Sequence, residues 1–239
     1  ISRPVWNPLF NEIAFIGHDG FSSDIYIYNI DDDSLKNITD DWYSDTQVSW
    51  HPNGKDLLII SDREGNKLGK KADILNFIDH DVENLDIYKM VYSPSSEYEI
   101  IRITNTPNNE SYAIYSSDTK SIAYISDASG INNIYISTDE CQTSYPITNI
   151  LTGITQISWK SNDQLIFTGF YKSGFDIFIL SNINRLLNTS IEIPLSNWKN
   201  KKEVDLLRNP DYSNTTSENY ESFIFNENNL EKFSKNVTI

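Results

Sequence analysis

Cysteine, methionine and basic side chains are scarce in this sequence. Cysteine and methionine each occur once among 239 residues, and 34 aspartates and glutamates outnumber 19 lysines and arginines. The lone Cys141 excludes an intramolecular disulfide and a cysteine-built zinc site. The net charge of −15 disfavours unassisted binding to nucleic-acid phosphates or to an anionic membrane surface. Apolar runs such as residues 57–60 have the length of a strand, so the sequence predicts no membrane-spanning helix.

Aromatic residues are plentiful, at 13% of the chain, and they favour strands over helices. They recur in four segments that share one order of features. Each segment has an aromatic residue that closes a short strand, then a polar turn, an apolar run, a loop and a strand that resembles Asp-Ile-Tyr. The aromatic anchors are Trp6, Trp50, Tyr115 and Trp159, and the Asp-Ile-Tyr-like strands begin at Asp24, Asp86, Asn133 and Asp176. An Ile-Thr pair ends the first three segments, at Thr39, Thr104 and Thr148.

The spacing of these features is regular. The interval from Trp6 to Trp50 is 44 residues, as is that from Tyr115 to Trp159. Each of the three threonines lies 11 residues before the next anchor. The interval from Trp50 to Tyr115 is 65 residues, which predicts an insertion in the second segment at residues 66–85. A repeat of this length is typical of stacked structural units.

A unit of about 44 residues with four short strands matches one blade of a β-propeller. The sequence therefore predicts an all-β fold with four four-stranded blades, at about residues 4–39, 46–104, 111–148 and 155–196. Four unrelated hairpins in a sandwich are the alternative, and the equal spacing argues against them. Because an open arc would expose two apolar sheet faces, we expect these blades to be part of a six- to eight-bladed ring. The remaining blades would come from sequence not shown here or from another chain.

Residues 197–239 depart from the repeat. They are rich in Asn, Ser, Lys and Glu, and contain the turn signal Asn209-Pro210-Asp211. We expect a linker or docking tail, with a possible short helix at residues 203–208. A possible hairpin pairs residues 221–225 with 230–233.

The second segment resembles the repeat of TolB-type propellers. Its Trp50-His51-Pro52-Asn53-Gly54 turn, its Ser61-Asp62-Arg63-Glu64-Gly65 loop and its Asp86-Ile87-Tyr88 strand match that pattern, whereas the third and fourth segments match it less closely. The resemblance covers about residues 4–196. It implies a docking platform that is exported to the periplasm or cell surface. Similar repeats also form the propellers that cap prolyl oligopeptidase and dipeptidyl-peptidase enzymes.

Catalytic signals are missing from the sequence. It contains no G-x-S-x-G nucleophile motif, and none of His18, His51 and His80 lies three or four residues from another histidine. The run Asp31-Asp32-Asp33 lacks the alternation of a calcium loop, so we interpret it as a solvated hairpin tip. The sequence thus predicts no catalytic residue, no metal site and no cofactor.

Three groups of residues are candidate binding residues. Asp40, Asp41, Trp42, Tyr43 and Asp45 form an acidic, aromatic segment between blades one and two, which would suit a basic or mixed peptide. The insertion contains Asp79, His80 and Asp81, which we interpret as an acidic loop. Tyr171 and Phe175 would be aromatic platforms in blade four.

The leading hypothesis is a non-enzymatic propeller scaffold of the bacterial envelope that binds a protein or peptide. One alternative is a propeller that gates or positions substrate for a serine hydrolase domain elsewhere in the polypeptide. A second alternative is a carbohydrate-binding or carbohydrate-active propeller that uses Tyr171 and Phe175.

Overall fold

The computed structural model describes residues 1–18, 20, 22–65, 82–92, 98–188 and 191–208. Its first compact unit, Ile1–Pro194, contains four antiparallel sheets. Sheet 1 consists of β1 (Ser2–Trp6), β2 (Glu12–His18), β3 (Ser23–Asn29) and β4 (Ser34–Asn37). Sheet 2 consists of β5 (Asp45–Trp50), β6 (Leu57–Ser61), β7 (Asp86–Tyr92) and β8 (Tyr98–Arg102). Sheet 3 consists of β9 (Glu110–Tyr115), β10 (Ile122–Ser126), β11 (Asn133–Ser137) and β12 (Ser144–Pro146). Sheet 4 consists of β13 (Ile154–Ser161), β14 (Gln164–Tyr171) and β15 (Gly174–Ser181).

Each sheet is a meander in which every strand pairs with the next one along the chain. The all-β propeller architecture predicted from the repeat is therefore confirmed, and the sheets are its blades. Blade 4 differs from the expectation of four strands, because β15 is followed by helix α1 (Ile183–Leu187) rather than by a strand. Asn182 enters the left-handed region at φ 63°, and this turns the chain out of the sheet.

The second compact unit, Leu195–Ile239, contains helix α2 (Asn197–Arg208) in its described part. This helix includes residues 203–208, where the sequence suggests a short helix. The possible hairpin at 221–233 lies outside the described residues. No helix in the described ranges is long and apolar enough to cross a membrane.

The second strands of blades 2 and 3 are apolar on both faces because a neighbouring blade covers each face. All five residues of β6 are buried, and so are all five of β10. This is the pattern of a sheet packed between two layers. It explains why the apolar runs of the second and third segments do not alternate with polar residues.

Three apolar cores join the blades in sequence order. The first joins blades 1 and 2 and includes Ile25 and Met90. The second joins blades 2 and 3 and includes Ile60 and Tyr124. The third joins blades 3 and 4 and includes Phe167. Four blades with three described interfaces form an arc, which leaves a face of blade 4 open in this unit.

The aromatic anchors of the repeat connect neighbouring blades. The indole Nε1 of Trp50 donates a hydrogen bond of 3.2 Å to the carbonyl of Val5 in β1. Trp159 makes the equivalent bond of 3.3 Å to Ile114 in β9. Each tryptophan thus binds the innermost strand of the preceding blade, which is the physical reason for its regular spacing.

Candidate functional site

One edge of the blade array, which we call the connection rim, carries the described binding residues predicted from the sequence, either in its loops or in the strands that flank them. Because the strands alternate in direction, the loops between second and third strands lie on the same edge as the connections between blades. The described connection rim consists of residues 20, 22, 38–44, 62–65, 82–85, 103–109, 127–132, 147–153 and 172–173. The opposite edge, with the other turns of each blade, is the hairpin rim.

Hydrogen bonds hold several loops of the connection rim in place. The hydroxyl of Ser23 in blade 1 donates to the carbonyl of Asp45 at 2.7 Å. Near it, the amide of Ser44 donates to the carboxylate of Asp62 at 2.7 Å. On blade 4, the hydroxyl of Thr152 donates to the carbonyl of Phe170 at 2.8 Å. The first bond joins blades 1 and 2, and the other two hold the connection segments against the blades that follow them.

A buried ionic cluster lies under the connection between blades 1 and 2. The guanidinium of Arg63 binds the carboxylates of Asp41 at 2.9 Å and Asp45 at 2.7 Å, and all three side chains are inaccessible to solvent. Arg63 Nε also donates to the hydroxyl of Ser61 at 3.0 Å. The guanidinium lies over the rings of Tyr43 and Tyr88, with distances of 5.3 and 5.9 Å to the ring centres. Arg63 thus anchors the connection from below.

Burial and ion pairing together set the pKa values in this cluster. Desolvation raises the pKa of Asp41 to about 6, although the charge of Arg63 opposes the rise. The two carboxylates raise the pKa of Arg63, which outweighs the opposing effect of its own burial. Burial also raises the pKa of Tyr43. Arg63 therefore stays protonated, and the cluster is part of the core rather than an exposed acidic surface.

The five predicted residues of this connection consequently divide into two groups. Asp41 and Asp45 face Arg63 and cannot contact a partner directly. Asp40 is exposed, and Trp42 and Tyr43 are half-buried with rings stacked at 4.0 Å. The surface that this connection offers is thus an aromatic pair beside one accessible carboxylate.

The other predicted aromatic residues lie at the blade 4 end of the same rim. Lys172 and Ser173 form a two-residue turn in which both residues have positive φ, 44° and 68°. Such a turn matches the twist of a hairpin and brings Tyr171 opposite Gly174. Tyr171 and Phe175 are exposed, and the ammonium of Lys172 lies 5.1 Å from the centre of the Tyr171 ring.

The predicted acidic loop of the insertion lies outside the described residues, so Asp79, His80 and Asp81 remain predictions. The described end of the insertion is anchored on blade 3. The amide of Leu85 donates to the side chain of Asn109 at 3.0 Å, and its carbonyl accepts from the amide of Glu110 at 2.9 Å. The insertion therefore leaves the rim near the contact between blades 2 and 3.

The remaining polar candidates have local structural contacts. His51 Nδ1 accepts from the amide of Asn53 at 3.0 Å within its own turn. His18 lies at the exposed end of β2. Asp33 accepts a hydrogen bond of 2.7 Å from the hydroxyl of Tyr28 in the turn between β3 and β4. Within the described ranges, no cluster of three or more His, Cys, Asp or Glu side chains could hold a metal ion.

The innermost strands of all four blades line a cavity of about 290 Å³. Its walls include Gln47 of β5 and Gln156 of β13. Arg3 of β1 lies over the ring of Tyr112 of β9, 5.0 Å from the ring centre. The axis of the arc is thus lined by polar and aromatic side chains as well as by aliphatic ones.

A buried carboxylate pair between blades 2 and 3 is missing from the sequence-based candidates. Glu110 accepts hydrogen bonds from Thr104 at 3.1 Å and Thr106 at 2.9 Å. Asp86 is buried beside it and paired with Arg102. The sequence does contain a signal that points to Glu110. An acidic residue lies 6 residues after the threonine of an Ile-Thr pair in two places, at Asp45 and at Glu110.

No protein-family model matches the sequence, and no curated protein matches it. Solved structures do match. TolB from Acinetobacter baumannii is 19% identical, with a TM-score of 0.57 over 80% of this chain and 42% of that one. A protein from Agrobacterium tumefaciens described as putative TolB is 17% identical, with a TM-score of 0.55 over 72% of this chain and 57% of that one. The chain has a TolB-like propeller fold.

The TolB-like propeller fold is not confined to TolB proteins. A puromycin-hydrolyzing peptidase from Mycobacterium tuberculosis is 10% identical, with a TM-score of 0.54 over 77% of this chain and 30% of that one. The chain thus spans roughly half the length of the two TolB structures and under a third of the peptidase. At these identities the likeness concerns the fold, which supports many functions.

Proposed function

We propose that this propeller is a non-catalytic scaffold that binds a protein or peptide partner through its connection rim. The observation that carries the proposal is that aromatic side chains reach solvent at two places on this rim, half-buried in the connection between blades 1 and 2 and exposed on blade 4. Trp42 and Tyr43 come from the connection between blades 1 and 2, and Tyr171 comes from blade 4. Tryptophan and tyrosine are the residues most enriched at the energetic centres of protein interfaces.

The Arg63 cluster supports this role because it fixes the backbone under the Trp42–Tyr43 pair. Asp41 Oδ1 accepts from the amide of Tyr43 at 2.9 Å, while its Oδ2 binds Arg63 at 2.9 Å. A partner would therefore meet a surface that is already ordered. Preorganisation of this kind increases affinity because less conformational entropy is lost on binding.

The charge of the chain indicates the kind of partner. At a net charge of −15, long-range attraction favours a basic protein or peptide. Asp40 is the accessible carboxylate beside the aromatic pair. The resemblance of the second repeat to TolB-type propellers supports a setting in the periplasm or at the cell surface.

The first test is capture of partners by the immobilised chain from separate envelope and cytoplasmic extracts of the source cells. We expect a basic partner from the envelope extract. After purification, that partner should bind Trp42→Ala and Tyr171→Ala variants about thirtyfold more weakly or worse, since aromatic residues at interface centres contribute about 2 kcal/mol or more.

The matched control is Trp6→Ala, because Trp6 is an exposed tryptophan that ends β1 at the hairpin rim. Circular dichroism and thermal unfolding of each variant show whether the fold is kept. Equal affinities of all three variants for the purified partner would contradict the rim assignment. Recovery of the partner from cytoplasmic extract alone would contradict the envelope setting.

The central cavity favours a second candidate function. A propeller that gates access to an attached hydrolase domain would need a cavity along its axis, and this chain has one. The puromycin-hydrolyzing peptidase is an enzyme with a similar fold. The full reading frame decides this alternative. A G-x-S-x-G motif followed by an Asp and a His would support gating.

A further inference from the structure

Blades 1 and 2 leave a cavity of about 390 Å³ between them near the hairpin rim. Its floor is the face of blade 1 that packs on blade 2. Its walls are Trp50, the turn that follows Trp50, and Tyr98 of β8. Small-molecule sites in proteins commonly have volumes of about 300–1,000 Å³. The cavity lies away from the aromatic residues of the connection rim, so the scaffold function does not account for it.

A row of polar side chains crosses the floor of this cavity. Glu12, Asn29 and Ser34 pair in register across β2, β3 and β4, so they share one face of the sheet. Further along the same face, Ala14 and Ile27 contribute to the apolar core between the blades. The polar row thus begins where the apolar core ends, and it supplies hydrogen-bonding groups to the cavity.

Hydrogen bonds within blade 1 hold this polar row in place. Glu12 Oε1 accepts from the amide of Asn29 at 3.3 Å, and its Oε2 accepts from the amide of Asn7 at 3.0 Å. The side-chain oxygen of Asn29 accepts from the backbone N–H groups of Asp31 and Asp32, at 2.9 and 3.1 Å. A site that is ordered in this way loses less conformational entropy when a ligand binds.

The turns that border the cavity are held together as well. Asn7 Nδ2 donates to the carbonyl of Gly54 at 2.9 Å, which joins the first turn of blade 1 to the first turn of blade 2. Gly54 has a φ of 69°, and a Cβ atom there would lie 2.8 Å from Asn7 Oδ1 and 3.1 Å from the ring of Phe10. Glycine permits this close approach. The contact places Phe10, which is 45% exposed, in the lining of the cavity.

Two lysines give the cavity a positive charge within an acidic chain. Lys36 of β4 and Lys55 of the blade 2 turn line it, together with the single carboxylate of Glu12. Acidic residues outnumber basic ones by 34 to 19 in the whole chain, so this local excess of positive charge is a property of the site. It attracts an anionic group. A dianion such as phosphate would be repelled by Glu12, and a ligand with one negative charge therefore suits the cavity better.

The other polar groups favour a hydroxylated ligand over an amine. An ammonium group needs several acceptors, and the side-chain oxygen of Asn29 already accepts two N–H bonds. A hydroxyl needs one acceptor, which the remaining lone pairs of Glu12 provide, and it can also bond to the hydroxyl of Ser34. The rings of Phe10 and Tyr98 offer apolar surface to the C–H groups of such a ligand.

We propose that the cavity between blades 1 and 2 binds a sugar acid, a ring that carries several hydroxyls and one carboxylate. The carboxylate binds Lys55, the hydroxyls bind Glu12 and Ser34, and the C–H face of the ring packs on Phe10. This inference does not depend on the connection-rim function, since it uses neither Trp42 nor Tyr171.

The test titrates the full chain with D-glucuronate and, separately, with D-glucose, and follows binding by ligand-observed NMR. We expect saturable binding of both, with glucose about tenfold weaker because it lacks the carboxylate and so loses a hydrogen bond to a charged group. Lys55→Gln should lower the affinity for glucuronate to that for glucose and leave glucose binding unchanged. Ser34→Ala should weaken the binding of both sugars.

Lys120→Gln is the matched control. Lys120 follows Tyr115 by five residues, as Lys55 follows Trp50, and it is an exposed lysine in the corresponding turn of blade 3. This variant should bind both sugars as the wild type does. Lys55 and Ser34 are also exposed, so their variants should keep the fold, which circular dichroism checks.

Three outcomes would overturn the proposal. The first is a lack of saturable binding, and the second is equal affinity of the wild type for glucuronate and glucose. The third is an affinity for benzoate equal to that for glucuronate, because the cavity would then select an apolar anion rather than a sugar. Trp42→Ala should bind glucuronate as the wild type does, which separates this site from the connection rim.

Discussion

Glu110 illustrates how burial at a single residue controls a property of the whole chain. Its side chain is 2% exposed and lies between blades 2 and 3. Desolvation raises the pKa of Glu110 to about 8, the hydrogen bond from Thr106 opposes the rise, and the charge of Asp86 adds to it. Arg102 is the neighbouring cation, and it is paired with Asp86.

The raised pKa predicts that stability falls as pH increases. Between about pH 4.5 and 8 the folded chain keeps the proton on Glu110 and the unfolded chain releases it. The free energy of unfolding therefore decreases by about 1.4 kcal/mol per pH unit from this group. Glu110→Gln should remove this contribution, as urea denaturation at pH 5 and pH 8 will show. Glu99→Gln, at an exposed site, is the control, and the same pH dependence in both variants would contradict the assignment.

Individual residues also show where sequence reasoning about the site was insufficient. The sequence does not distinguish Asp40, Asp41 and Asp45, which are all acidic residues near Trp42. In the structure, only Asp40 is accessible to solvent. The difference arises from Arg63, which lies 18 residues beyond Asp45 and binds both Asp41 and Asp45. The side chain that buries a carboxylate is a neighbour in space, and a short sequence window does not contain it.

At the scale of the element, hydrogen bonds made by the threonine explain why the Ile-Thr pair recurs in the sequence. Thr148 accepts from the amide of Ile134 at 2.9 Å and donates to the side chain of Asn133 at 3.0 Å. The regular interval of 11 residues from each threonine to the next anchor therefore marks the passage from one blade to the next. Blade 4 has no Ile-Thr pair in residues 182–196, and the structure has no fourth strand there among its described residues.

These hydrogen bonds predict that the threonine of an Ile-Thr pair contributes more to the stability of the fold than an exposed threonine does. Thr148→Val keeps the shape of the side chain but leaves the buried amide of Ile134 without an acceptor, at an expected cost of about 1–3 kcal/mol. Thr155→Val, at an exposed position of β13, should change stability by less than about 0.5 kcal/mol. Chemical denaturation of both variants measures the difference, and comparable losses would argue against a stabilising role of the hydrogen bond from Ile134 to Thr148.

For the whole molecule, the two faces of blade 4 have opposite environments. Leu165 and Phe167 face blade 3 and are buried. On the other face, Phe175 is 65% exposed and Ile179 is 55% exposed. Contiguous apolar exposure of this kind marks an interaction surface or an aggregation hazard.

This asymmetry predicts opposite effects of substitutions within one sheet. The double variant Phe175→Ser with Ile179→Thr should bind less of a hydrophobic dye and aggregate less, with a change in stability of about 0.5 kcal/mol or less per site. Leu165→Ala should lose about 2–5 kcal/mol, because it leaves a cavity in the core. Dye fluorescence and thermal unfolding provide the two readouts. A large loss of stability in the double variant would mean that the exposed face is covered in solution.

Much of the architecture could be predicted from the sequence. The interval of 44 residues, the aromatic anchors and the Ile-Thr pairs indicate repeated four-stranded blades, since strand alternation and turn chemistry are local properties. Two of the anchors, Trp50 and Trp159, are tryptophans whose indole N–H reaches a carbonyl of the preceding blade. The sequence alone thus determined the blades and their order.

Burial and contacts between blades were decided only in three dimensions. Tertiary structure placed Asp41 and Asp45 against Arg63, brought Trp42 and Tyr171 to one rim, and left the edge of β15 open. The free energy of an ionised or apolar side chain depends on the atoms that replace water around it. In a propeller those atoms belong to other strands and blades, whose approach the local sequence does not specify.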